Sequence, residues 1–186
     1  MQINKINFIS LGIILLISVV GAHEKKWPEK RLRQVYPEAQ SFTSKQVALS
    51  SSQISELKSE GVQIGSEDRN PTFYFAQEKE NQTDMRPKTL GVILFVAEVG
   101  PNGTMEISVA MGVDGRVKKI DIWEHSENSL VAKEDFLKQF IGKKSKDSFV
   151  KSKDYKPVTE AEKPSEAIAM AVKKSLKISN LVFEKK

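Results

Sequence analysis

The first strongly apolar run, Phe8–Val20, ends at the small residues Gly21-Ala22 and gives way to the charged stretch His23–Lys26. Beyond it the apolar positions fall into short periodic groups. Within Glu29–Tyr36, Leu32, Val35 and Tyr36 stand at helical spacing and Pro37 stops the pattern, which predicts a short helix. Ser50-Ser51-Ser52-Gln53 offers a capping box ahead of Ile54 and Leu57, and Gly61 ends a second predicted helix. The period then changes from helical to alternating. Thr72–Ala76, Val92–Val99, Met105–Gly112 and Val117–Glu124 are rich in aromatic and β-branched residues, and Met105, Ile107, Val109 and Met111 fall on one face. Pro101-Asn102-Gly103 and Asp114-Gly115 supply turns, so the last three of these strands should run antiparallel in succession. Phe136, Leu137, Phe140 and Ile141 form the apolar stripe of a further helix that Gly142 can end. A final helix carries Pro164 in its first turn and turns Ile168, Ala171, Val172 and Leu176 inward, after which Leu181-Val182-Phe183 is expected to add a short edge strand. Helices, then a meander, then helices predict the α+β class: an antiparallel meander sheet with flanking helices.

The opening run has the order of a secretory signal, with Lys5 in a polar leader, the apolar stretch, then Val20-Gly21-Ala22. It is shorter than the roughly 20 apolar residues of a membrane span, which favours a cleaved signal peptide over residues 1–22. An uncleaved N-terminal membrane anchor is the alternative, and both place residues 23–186, read as a single domain, in the periplasm or another extracytoplasmic space. The polar segment Glu78–Lys88 reads as a loop, either a plain connection or a cover for a site.

The absence of cysteine excludes disulfides, iron–sulfur clusters and thiol chemistry. The formal charge of +5 is concentrated late: from Lys133 to Lys186 there are 14 Lys against 8 Asp or Glu. Acids interleave with these lysines and no basic-aromatic pattern accompanies them, so the segment reads as a solvated basic face and not as a nucleic-acid surface. His23 and His125 are the only imidazoles. Glu124-His125-Ser126-Glu127 sets one beside two carboxylates, but neighbours at a strand end point apart, and no chelate is implied. Gly-x-Ser-x-Gly, Walker and Gly-x-Gly-x-x-Gly signatures are all missing from the sequence.

Three stretches carry a resemblance. They are Val109-Ala110-Met111-Gly112-Val113-Asp114-Gly115-Arg116-Val117, then Phe136–Lys143, then Ser165-Glu166-Ala167-Ile168-Ala169-Met170-Ala171-Val172-Lys173-Lys174-Ser175-Leu176. With Tyr36-Pro37-Glu38-Ala39 ahead of them, the chain resembles the exported FMN-binding domain of the Rnf complex G subunit and of the sodium-pumping NADH:quinone reductase C subunit. That family receives the FMN phosphate on a Ser-Gly-Ala-Thr segment at a helix start, where free amides attract an anion. Aligned on Ser165, this sequence has Thr159, Glu160, Ala161 and Glu162 there. A carboxylate at 162 cannot form the phosphoester that an attachment threonine makes, so the resemblance implies non-covalent FMN. It implies Thr159, Ala161, Lys163 and Ser165 at the phosphate, and His125, Ser126, Glu127 and Asn128 near the flavin ring. His125 would there hydrogen-bond the ring, or else be an ordinary half-exposed strand-end histidine. The function implied is that of a flavoprotein in electron transport, partnered by a membrane redox complex or another periplasmic redox protein. A second reading is a flavin-free descendant acting as a binding or accessory module for a membrane partner.

Overall fold

A computed structural model describes residues 27–78 and 87–183. The expected signal and most of the Glu78–Lys88 loop therefore lie outside the described residues. The chain order is α1 (Glu29–Val35), β1 (Ser41–Gln46), α2 (Ser51–Ser59), β2 (Thr72–Gln77), β3 (Thr89–Gly100), β4 (Gly103–Gly112), β5 (Val117–Glu124), α3 (Glu134–Leu137) and α4 (Glu162–Phe183). The five strands lie in sequence order in one antiparallel sheet. This is an α+β meander with flanking helices, as the periodicity predicts.

Alternation along the strands divides the apolar residues between two faces. Leu94 and Val96 of β3, with Met105, Ile107, Val109 and Met111 of β4, join Ile168, Ala171, Val172 and Leu176 of α4 in the main core. Ile93 and Ala110 point the other way, into a smaller cluster with Tyr74, Ala76 and the α1 residues Leu32 and Val35. The sheet is thus covered by α4 on one side and by the short α1 on the other. Ser50 caps α2 with the reciprocal Gln53 pairing that the sequence predicts. Phe140 is fully buried and meets Phe136, Phe149 and Tyr155 at ring separations of 5.4, 6.4 and 5.5 Å, which anchors the long polar segment ahead of α4.

Three details depart from the sequence reading. Leu181-Val182-Phe183 is the last turn of α4 and not an edge strand. The helix continues because Phe183 reaches back onto β2, its ring 4.7 Å from Phe73 and 5.8 Å from Phe75. The first strand, Ser41–Gln46, went unread because five of its six residues are exposed, so no apolar alternation marks it; backbone pairing to β2 holds it. The Phe136–Ile141 helix is only one α-turn followed by a 3-10 turn, and Ile141 caps it in extended backbone, 46% exposed.

Two tertiary ties are polar. Lys174 of α4 is buried, its Nζ 3.1 Å from Asp68 Oδ2, 2.9 Å from Glu98 Oε2 and 3.3 Å from the Ala97 carbonyl oxygen. Tyr36, just after α1, passes its ring over Gly91 and donates its hydroxyl to the Met111 carbonyl at 2.9 Å. Burial, with Glu38 and Asp114 adding repulsion, pushes the Tyr36 phenol from 10.0 up to about 12. The fold prefers the neutral phenol, while the unfolded chain ionises near pH 10. The Tyr36 contribution to stability is therefore whole below pH 10 and is lost as pH rises through about 12. In denaturant unfolding across that window, Tyr36→Phe is expected to show a shallower alkaline decline than the parent. At neutral pH the same variant should lose about 1 kcal/mol, the net worth of one buried hydrogen bond. An unchanged alkaline slope would contradict this assignment.

Candidate functional site

The turn after β5 is held by its acid. Glu127 is 8% exposed; its Oε1 accepts from the Asn102 backbone N–H at 2.7 Å and its Oε2 from Asn102 Nδ2 at 3.0 Å. This latch joins the β3–β4 turn to the segment after β5. It needs Gly100, since a Cβ there would fall 2.4 Å from Glu127 Oε1. Asn128 spends its side-chain oxygen on the Leu130 N–H at 3.0 Å, capping a 3-10 turn. Ser126 is exposed, and His125 is half-buried with Nδ1 shut off from solvent and without a hydrogen-bond partner.

The segment before α4 is as firmly placed. Ser165 is completely buried, and its hydroxyl accepts from the Val158 N–H at 3.0 Å while donating to the Ala161 carbonyl at 2.8 Å. Both of its hydrogen-bonding roles are internal. Ala161 is buried and its N–H donates to Val158. Glu160 sits at φ 66°, in the left-handed region that costs an L-residue about 1–2 kcal/mol. Pro164 occupies the third position of α4 and so removes one of the amides a helix start normally leaves free.

These two segments meet. Pro101, Asn102, Glu127 and Asn128 face Glu160–Pro164 across an open cleft of about 420 Å³. Of the eight residues expected at a site, Glu127, Asn128, Ala161 and Lys163 line this cleft; His125, Ser126, Thr159 and Ser165 do not. Among the described residues three acidic ones line it, Glu127, Glu160 and Glu162, with one basic residue, Lys163, and the Glu127 carboxylate is turned to Asn102. Lys151 approaches Glu162 at 3.0 Å but is shared with Glu166 at 2.6 Å, and these two carboxylates, Glu166 first, hold its ammonium well above the usual lysine range. The sequence reading missed Asn102, which it took only as a turn residue. Its partner is 25 positions away, and no local signal announces such a pair.

Among the described residues no group of His, Asp and Glu is placed to hold a metal ion, and no helix is long and apolar enough to cross a membrane. No protein-family model matches the sequence, and no curated protein matches it.

Proposed function

We propose that this chain is an exported module built like the FMN-binding domains, holding no FMN at the start of α4 and serving a membrane partner as a binding or accessory component. The observation that carries this reading is the acidic lining, Glu127, Glu160 and Glu162, of the cleft where the resemblance expects a phosphate. A phosphate there has acidic neighbours, and each like-charge contact at 4 Å costs on the order of 1 kcal/mol in water. The donors do not offset it. Ser165 has no hydroxyl to spare, and Pro164 takes one amide out of the helix start. The residues present therefore do not suit the phosphate of FMN.

Kinship with the family is supported by the backbone at Glu160. The family motif has glycine at that position, and the left-handed φ of 66° is a conformation glycine takes without steric cost. Export is supported by the leader sequence alone.

Non-covalent FMN for electron transfer is the second reading. One observation favours it: the two segments expected at the phosphate and at the ring converge on one cleft. FMN titration of the full chain, followed by flavin fluorescence and by absorbance after desalting, separates the two. The expected result is no retained flavin at about 1 mM FMN, weaker than any affinity a resident cofactor would need. Yellow protein that releases FMN on denaturation would refute the accessory reading. Glu160→Gly combined with Glu162→Thr should then raise FMN affinity at least tenfold, and no gain would refute the placement of the phosphate segment.

A further inference from the structure

The other end of α4 carries a cleft of a different kind. About 370 Å³ in volume, it lies between the last turns of α4, the β3–β4 floor and the β4–β5 turn. This volume falls within the range of small-molecule sites, roughly 300–1,000 Å³. Its walls are Phe75, Val92, Met111, Leu176 and Phe183, and its floor runs along Gly91 and Gly112, where backbone alone separates it from the layer beneath. Phe183 and Val113 at the mouth are 41% and 76% exposed, so apolar surface is left open to water there.

Thr89, Asp114, Ser145, Ser179 and Asn180 stand among these apolar walls. Ser179 is only 7% exposed, yet its hydroxyl has no hydrogen-bond partner. Its neighbour one turn earlier, Ser175, meets the same need by donating to the Ala171 carbonyl at 2.9 Å, which Ser179 does not do with its own helix. A buried hydroxyl left unpaired costs about 1–3 kcal/mol; its oxygen is closed to solvent as it stands, and a ligand atom returns that cost once the Ser179 side chain turns toward the cleft. Beside it, Asn180 accepts the Ser145 hydroxyl on Oδ1 at 2.7 Å, leaving its amide nitrogen as a donor. Among the described residues Asp114 is the one ionisable side chain lining the cleft, and the Arg116 backbone N–H donating to it holds its carboxyl below the usual range. With that carboxylate paired to the Arg116 guanidinium at 3.7 Å, the described lining holds no free charge and suits an uncharged ligand.

We propose that this cleft is a binding site for a small neutral amphipathic molecule, its apolar body against Phe75, Met111, Leu176 and Phe183 and a carbonyl-type acceptor at Ser179 and Asn180. The site does not rest on the accessory-module reading. It lies near Ser179, about 25 Å along α4 from Glu160–Pro164 at 1.5 Å per residue, so flavin binding at one end and ligand binding at the other are read separately.

The probe is prodan, a neutral naphthyl ketone whose emission shifts to the blue in apolar surroundings. It is titrated into the full chain carrying methyl-¹³C methionine. Saturable blue-shifted emission is expected, together with movement of the Met111 methyl resonance while those of Met105, beside Gly100, and Met170 stay in place. Ser179→Ala should weaken binding about fivefold with no loss of stability, because the hydroxyl it removes has no partner in the fold. Asn180→Trp, which fills the cleft, should abolish binding. The proposal is overturned by no saturable binding up to about 1 mM, by unchanged affinity in both variants, or by a methyl shift at Met105 or Met170 in place of Met111.

Discussion

Lys174→Ala is expected to lower the unfolding free energy by about 3–5 kcal/mol, the usual cost of removing one partner from a buried ion pair. Domains of this size are commonly stable by only about 5–15 kcal/mol, so the thermal midpoint should drop by many degrees. The reason is the company this lysine keeps. Its side chain is 5% exposed, and the two carboxylates it faces, Asp68 and Glu98, are 11% and 18% exposed. Asp68 is also committed to the Gly65 N–H at 2.9 Å, and Glu98 Oε2 has no hydrogen-bond partner although the ammonium is 2.9 Å away. Without the ammonium, two negative charges face each other in a confined space. Lys174→Met separates charge from packing because it keeps most of the stem: it should remain nearly as damaging as the alanine. Adding Asp68→Asn and Glu98→Gln to Lys174→Met should recover much of the loss. If Lys174→Met costs less than about 1 kcal/mol in urea unfolding, the cluster does not hold α4 to the sheet.

Gly91→Ala should cost about 3 kcal/mol, at the upper end of what overpacking does. A Cβ at that position would lie 2.1 Å from the Tyr36 hydroxyl and 2.3 Å from the Met111 carbonyl oxygen. Tyrosine can swing aside, but the carbonyl belongs to β4, paired with β3 through Gly91 and Gly112, and cannot withdraw without parting the strands. In a Tyr36→Phe background the same substitution should be only partly relieved. Gly65→Ala, whose nearest neighbour would be Asp68 Oδ2 at 3.6 Å, serves as the control with little effect. Equal midpoints for the Gly91 and Gly65 variants in thermal unfolding would show that the Tyr36 crossing does not constrain the sheet.

Elements that bury a periodic face were legible in the sequence. Met105, Ile107, Val109 and Met111 announce β4, and Ile168, Ala171, Val172 and Leu176 announce α4, because packing on each side repeats at the period of the backbone. Ser41–Gln46 escaped for the opposite reason: as an edge strand with little to bury, it leaves hardly any apolar trace. Leu181–Val182–Phe183 misled because β-branched and aromatic residues suit strands locally, while tertiary contact with Phe73 and Phe75 extends the helix through them. At the candidate site, only the resemblance set the 125–128 turn beside the start of α4; no periodicity or spacing in the sequence brings those segments together. What Glu127 and Ser165 do there did not follow. Their hydrogen bonds to Asn102, Val158 and Ala161 depend on how turns distant in sequence come to rest against one another.

The polar character that hid β1 has a further consequence, for self-association. An antiparallel sheet grows wherever a flat, apolar outer strand offers its free backbone groups to another chain. Here one margin is tied by the chain itself at its first residue: the Val117 N–H donates to the Lys143 carbonyl and the Gly142 N–H donates to the Val117 carbonyl, so the outer side of β5 is taken at that end. The other margin is Ser41-Phe42-Thr43-Ser44-Lys45-Gln46, short, hydrated and carrying a lysine. A second copy docking there would bury an ammonium and several hydroxyls to gain only a few backbone bonds. Aggregation through this margin is thereby discouraged, and the sheet stops at five strands.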